Sequence, residues 1–169
     1  MKRALLGVLT PSSNTVLEPV SSAIVASLKD VSVHFGRFPV TEISLGEGSQ
    51  AQFDLSKQLA AANLLADAKV HTIVWSGTAA SWLGFEQDER LCDLIESETG
   101  IRAGSSVLAV NELFARKKVR RFALVTPYID SVQEKIVANY THNGFECVAE
   151  RHLGESRNFN FSEFTEEHI

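Results

Sequence analysis

Two rhythms of apolar positions alternate along the chain. Short apolar runs predict strands at residues 4–9 (ALLGVL), 31–38 (VSVHFGRF), 73–75 and 101–103. Between them, apolar residues spaced three and four apart predict helices over about 16–28, 53–68, 85–99 and 105–116. Ser12, Ser13 and Asn14 supply N-cap chemistry for the first helix, and Glu18 places a carboxylate in its first turn. Leu55, Leu59, Ala62 and Ala66 share a face of the second helix. Phe85, Leu91, Leu94 and Ile95 face inward on the third, which Gly100 closes. A loop over 45–50 (LGEGSQ) carries two glycines that give it mobility. Strand followed by helix, repeated in one direction, predicts a parallel sheet.

The order then restarts. A strand at 119–125, a helix over 131–143 stopped by Gly144, and a strand at 145–150 are followed by a last helix from about Ser162, holding Thr165, Glu166 and His168. Thr10-Pro11 ends the first strand and Thr126-Pro127 ends this later one, so the chain reads as a weak internal repeat. The expected fold class is α/β, a parallel sheet with helices on both faces followed by an incomplete second α/β half. The expected division is residues 1–117 and 118–169. A second sheet of only two strands exposes an apolar face and an edge, which predicts self-association into a homo-oligomer.

The run VHTIVWSGTAASWLG at 70–84 breaks abruptly from strand into small residues. Ile73, Val74 and Trp75 are apolar on both faces, as in an inner parallel strand, whereas Ser76, Gly77, Thr78, Ala79, Ala80 and Ser81 leave little bulk and three hydroxyls. Ligands of open α/β sheets bind outside the carboxyl ends of the strands. The same residues also fit a plain strand-to-helix turn. Similar turns occur at 11–15 (PSSNT), 126–130 (TPYID) and 155–159 (ESRNF), and a doubled architecture gathers them in the cleft between its halves. Their hydroxyls, amides and phenol are neutral donors, a set suited to a small carboxylate. Each turn taken alone also fits a cap.

Composition narrows the partners. With 169 residues, 44% of them hydrophobic, the chain has enough apolar material for a sizeable core. A net charge of −5 with dispersed Lys and Arg argues against nucleic acid and anionic membranes as partners. No apolar run approaches the roughly 20 residues of a membrane span. The start at Met1, Lys2 and Arg3 lacks a small-residue cleavage pattern, which points to a cytoplasmic protein. Cys92 and Cys147 are too few for a zinc cluster or disulfide framework and read as buried thiols. The histidines at 34, 71, 142, 152 and 168 show neither ligand spacing nor a triad partner, and His34 reads as a core or edge residue. GxGxxG, Walker A, HExxH and GxSxG do not occur, so the sequence carries no signature of a dinucleotide, P-loop nucleotide or HExxH zinc site.

GVLTPSSNTVLE at 7–18, GTAAS at 77–81 before Gly84, and VTPYID at 125–130 together resemble the aspartate/glutamate racemase superfamily, on the branch of maleate cis-trans isomerases and arylmalonate decarboxylases. That resemblance implies two pseudo-symmetric flavodoxin-like α/β halves, no metal or organic cofactor, and cysteine chemistry beside a carboxylate held by strand-end turns. It places Gly77, Thr78 and Tyr128 in the catalytic set and Pro11, Ser12, Asn14, Ser76, Ala79, Ser81 and Asn158 in substrate binding. Two departures follow from the same alignment of motifs. The first-half cysteine of racemases and isomerases falls on Gly77, as in the decarboxylases, and the second-half cysteine falls beyond residue 169. The resemblance therefore implies the N-terminal two-thirds of a lyase or isomerase acting on a small (di)carboxylic acid, with little or no activity of this chain by itself. A carboxylate-binding protein without catalysis, and a racemase using Ser76, are the alternatives.

Overall fold

The computed structural model describes residues 3–46, 48, 53–165 and 167. Strands β1 (Ala4–Pro11), β2 (Val31–Phe38), β3 (Thr72–Trp75) and β4 (Ala103–Ser105) form a parallel sheet in the order β2-β1-β3-β4. Parallel pairing requires a crossover between strands. The crossovers carry α1 (Leu17–Val25), α2 (Leu55–Asp67), the short α3 (Ala80–Leu83) and α4 (Phe85–Thr99), while α5 (Ser106–Lys117) leaves β4. A second parallel sheet pairs β5 (Arg121–Thr126) with β6 (Glu146–His152), joined by α6 (Asp130–His142). The architecture is the parallel α/β arrangement that the alternating pattern predicts, in the flavodoxin-like fold that the resemblance implies.

Central strands β1 and β3 supply the deepest core. Leu9, Ile73 and Trp75 are essentially inaccessible, covered by Ala62 of α2 and by Leu91 and Ile95 of α4. Close approach of β1 to β3 depends on Gly7, where a Cβ would stand 2.9 Å from Val70 Cγ2 and 3.1 Å from the Thr72 carbonyl. The buried face of α2 is Gln58, Ala61, Ala62 and Leu65, rotated from the predicted one; Leu55, Leu59 and Ala66 lie at its border. Gly100 ends α4 in the left-handed conformation, φ 68°, as a C-cap glycine does.

Several boundaries differ from expectation for local reasons. Helix α1 stops at Val25 because Ala26 and Leu28 donate to carbonyls three residues back, Ala23 and Val25, tightening the chain toward β2. Strand β4 and α5 sit later than predicted, since Ser105 is the last strand residue and also the N-cap, its Oγ accepting from Leu108 N at 3.1 Å. In place of a helix from Ser162 there is a 3-10 helix, Asn158–Glu163; Thr165 lies beyond it, and Glu166 and His168 are outside the described residues. Glu47, Ser49 and Gln50 of the predicted loop are also outside them. Both cysteines are half-buried rather than buried. His34 is half-buried on the edge strand β2.

The two sheets are joined by aromatic packing and a polar clasp. Phe85, Phe114, Phe122 and Phe145 surround Tyr140 with ring centroids 5.1–6.5 Å away. Asn139 of α6 donates its Nδ2 to the carbonyls of Ala80 and Ser81, at 3.3 and 3.1 Å, satisfying carbonyls of α3. The segment after β6 crosses back over the first sheet: Ile43 N donates to Ser156 O at 2.7 Å and Asn158 N to Thr41 O at 3.0 Å.

Candidate active site

Three turns meet where the carboxyl ends of β1, β3 and β5 approach one another. At the first, Asn14 Oδ1 accepts from Val16 N (3.0 Å) and Leu17 N (2.8 Å), capping α1. Ser13 Oγ donates to Val40 O at 2.6 Å and accepts from Asn158 Nδ2 at 2.8 Å, so residues far apart in sequence share one hydroxyl. Arg37 braces this turn from outside, donating to the carbonyls of Ser12 (2.8 Å) and Asn14 (3.1 Å) and pairing with Glu18.

At the second turn, Ser76 N still belongs to the sheet, donating to Leu9 O at 3.2 Å. The chain then bends through Gly77, Thr78 and Ala79 into α3. Gly77 is obligatory there for a packing reason: a Cβ would lie 2.1 Å from Trp75 Cζ2 and 2.6 Å from Trp75 Cε2, inside the indole itself.

The third turn brings Tyr128 across. Its hydroxyl lies 2.5 Å from Thr78 Oγ1, a direct bridge between the turns that follow β3 and β5. Burial pushes the Tyr128 phenol above its ordinary pKa and outweighs the opposing Thr78 hydrogen bond, so the hydroxyl stays protonated and able to donate. Behind it, Tyr128 N donates to Thr126 Oγ1 (3.3 Å), Thr126 Oγ1 to Gln133 Oε1 (2.7 Å) and Gln133 Nε2 to Glu150 Oε2 (2.7 Å), a polar chain that holds the turn. Glu150 continues into a cluster that spacing did not reveal. His152 contacts Glu150 through Nδ1 (2.9 Å) and Asp130 through Nε2 (3.0 Å), and these two carboxylates raise its pKa. Parallel pairing and the α6 turn assemble these carboxylate contacts, which the linear spacing hides.

A cavity of about 200 Å³ opens between these turns. Pro11, Asn14, Ser76, Gly77, Thr78, Ala79, Tyr128 and Asn158 all line it. Ser12 and Ser81 do not. Ser12 Oγ is tied to the Val40 backbone (3.2 and 3.5 Å) and Ser81 Oγ donates to Thr78 O (2.6 Å), so both hydroxyls shape turns and neither faces the cavity. Among the described residues the remaining wall is apolar: Val40, Ile43, Phe53, Trp75, Trp82 and Phe161. Sequence reasoning left these out because nothing in their local pattern separates a pocket wall from core. Trp82 stacks edge-on against Tyr128 (5.2 Å) and Phe161 contacts the same ring (5.5 Å), which holds the phenol in place.

Neither cysteine reaches the cavity. Cys92 lies on α4, its thiol pushed up to about 11 by burial first and by Asp88, Glu96, Asp93 and Glu89 next; Cys147 lies on β6 with Sγ against Ala149 O at 3.4 Å. Among the described residues no group of three or more His, Cys, Asp or Glu is placed to hold a metal ion, and no helix is long and apolar enough to cross a membrane.

Parallel-stranded α/β units whose strand-end turns close over a small cavity define an α/β protein with a candidate small-molecule cleft between its two sheets. The sequence profile of the arylmalonate decarboxylase family matches residues 36–168, and the chain belongs to that family. Solved structures share the fold. The maleate isomerase of Pseudomonas putida is 22% identical with a TM-score of 0.80, the alignment covering 97% of this chain and 69% of that one. A cysteine-to-serine variant of the Nocardia farcinica maleate cis-trans isomerase, holding a covalent succinylcysteine intermediate, is 24% identical with a TM-score of 0.85 over the same shares. Unliganded arylmalonate decarboxylase is 20% identical with a TM-score of 0.70, covering 89% of this chain and 62% of that one. Comparison with curated protein sequences gives no match.

Proposed function

We propose that the cavity holds a small (di)carboxylate and that the chain serves cofactor-independent decarboxylase- or isomerase-type chemistry. The observation that carries this reading is the Tyr128–Thr78 contact at 2.5 Å, which joins two neutral hydroxyls carried by residues that line one cavity. A carboxylate oxygen arriving there accepts from the protonated phenol and the threonine hydroxyl, with Asn14 Nδ2 and the amides of the Gly77 turn within the same wall. Such donors, fixed before the ligand arrives, also favour the enediolate-like charge that develops when a bond beside a carboxylate is broken. The apolar wall raises the worth of each hydrogen bond by excluding water.

Proton delivery is a separate task, and we assign it to neither cysteine of this chain. A thiol near 11 on α4 is not a thiolate at neutral pH, and neither sulfur lines the cavity. The chain is therefore read as binding without turnover by itself, in two pseudo-symmetric halves divided near residues 117 and 118. A purely binding protein fits the same cavity. Ser76 as a racemase nucleophile has no base beside it among the described residues, since no described His, Lys, Asp or Glu lines the cavity. We also propose self-association, because Val20, Ile24 and Leu28 near α1 and Val125 and Val148 of the second sheet remain exposed.

The test is calorimetric titration of the 169-residue chain with malonate and with its dimethyl ester, followed by an assay for carbon dioxide release. Binding of the dianion alone, without turnover, supports the reading. Equal binding of the ester contradicts the carboxylate cradle, and turnover that survives Cys92→Ser and Cys147→Ser contradicts the assignment of proton delivery.

A further inference from the structure

We propose that His152 is a positioning residue for Tyr128: bridging Glu150 and Asp130, it ties both flanks of the Tyr128 turn to the end of β6, so that carboxylate binding in the cavity follows the protonation of its imidazole. The proposal rests on the carboxylate reading above. One arm is direct, from His152 Nε2 to Asp130 Oδ1 at 3.0 Å, two residues after Tyr128. The other reaches Thr126, two residues before it. His152 Nδ1 and Gln133 Nε2 both meet Glu150 Oε2, at 2.9 and 2.7 Å, and Gln133 Oε1 accepts from Thr126 Oγ1 at 2.7 Å. An ionised carboxylate only accepts, so Glu150 fixes which way the buried Gln133 amide faces, and this leaves a Thr126 lone pair for Tyr128 N at 3.3 Å. The segment that follows His152 grips the same turn: Leu153, Gly154 and Glu155 donate their amides to the carbonyls of Thr126, Tyr128 and Pro127 at 3.2, 3.0 and 2.8 Å.

The bridge is complete only as a cation. Both ring nitrogens of a protonated histidine donate, whereas the neutral ring has one donor and one acceptor. With a carboxylate on each nitrogen, loss of the proton turns a lone pair toward either Glu150 or Asp130, and one arm lets go. Glu150 first and Asp130 next raise the His152 pKa, as such a bridge requires. The charged groups facing the ring are Glu150 on β6 and Asp130 and Glu134 on α6, which line one groove with it. Thr126, opposite on β5, is neutral, strand alternation sends Arg151 to the other face, and Glu155 beyond β6 is paired with Arg157. Both ion pairs of His152 are partly solvated, so the effect on the turn is modest.

The test is malonate affinity by calorimetry from neutral pH upward, where the ligand stays a dianion, with the His152 imidazole followed by NMR under the same conditions. Affinity is expected to fall about threefold with the midpoint of the His152 titration, the scale of one partly solvated ion pair. By reciprocity, saturating malonate should raise that midpoint by about half a pH unit. His152→Arg, which keeps the charge and a two-sided donor, is expected to hold the low-pH affinity across the range, and His152→Gln to show the weaker affinity throughout. Tyr128→Phe separates position from charge: the pH dependence is expected to vanish with the phenol, whereas a dependence that survives there acts on the ligand through space and overturns the proposal. A merely structural role would move the urea midpoint with pH and leave affinity flat; affinity flat across the His152 titration overturns the proposal and leaves the carboxylate reading standing. Absence of malonate binding at every pH overturns that reading and the proposal with it. The wild-type and Tyr128→Phe profiles decide the matter even if neither His152 variant folds.

Discussion

Asp88 is a carboxylate stored in the wrong solvent, and its removal should stabilise the protein in a pH-dependent way. It sits in α4, 1% exposed, with Oδ2 unpartnered. Burial raises its pKa from 3.8 to about 6, opposed by a hydrogen bond from Ser105. Below pH 4 the folded and unfolded states both hold the proton, and Asp88 costs nothing electrostatically. As pH rises from about 4 to about 6 the unfolded chain releases the proton first, so stability falls through that window and the full cost stands above it. At about 1.36 kcal/mol for each pKa unit, a gap of about 2 amounts to about 3 kcal/mol. Asp88→Asn removes the charge and keeps the shape, while its amide adds N–H donors beside the site of Oδ2, which returns about 1 kcal/mol. The expected net gain is about 2 kcal/mol at pH 7 and none or a small loss at pH 4, read from urea unfolding of both proteins at the two pH values. Because every other titrating group is common to both proteins, their difference isolates Asp88. Parallel pH profiles for wild type and variant would refute the buried-charge reasoning.

Other perturbations probe the rest of the fold. Gly77→Ala drives a methyl into the Trp75 indole and should destabilise by about 2 kcal/mol or more, with a change in tryptophan fluorescence; an unchanged unfolding midpoint would contradict the close approach. His152 should titrate above 6.5 by NMR, stabilising the protein at low pH and losing that contribution as pH rises through the folded value, and Glu150→Gln should lower its midpoint because Glu150 is the larger of its two causes. Ile24, 72% exposed on α1, should lie in a subunit contact, so Ile24→Glu should shift light scattering toward monomer; a wild-type monomer would end that proposal.

What could be read beforehand was what depends on neighbours in sequence. Apolar periodicity is a local property, and it marked β1, β2, β3, β5 and most helices; Gly100 and Ser105 ended and began helices through chemistry carried by the residue itself. Asn14, Thr78, Tyr128 and Asn158 were identifiable as a group because strand-end turns of parallel sheets converge, and they line one cavity. The resemblance to a family added the pairing of their roles. Hidden features depend on side-chain direction or on register between distant segments. Ser12 loses its hydroxyl to Val40, Ser81 to Thr78, and Glu150 meets His152 and Gln133 only once β6 lies beside β5 and α6. The indole of Trp75 folding over Gly77 is a rotamer choice fixed by packing against Phe38, which no spacing rule encodes.

The central claim is that Thr78 and Tyr128 act as one carboxylate-binding pair. The direct measurement is a double-mutant cycle for malonate affinity with Thr78→Val, Tyr128→Phe and both, by calorimetry on folded proteins. Each single change should weaken binding about tenfold, and the double change should cost clearly less than the product, since the hydroxyls lie 2.5 Å apart and share one ligand oxygen. Affinities that leave malonate binding unchanged in the double variant would contradict the claim.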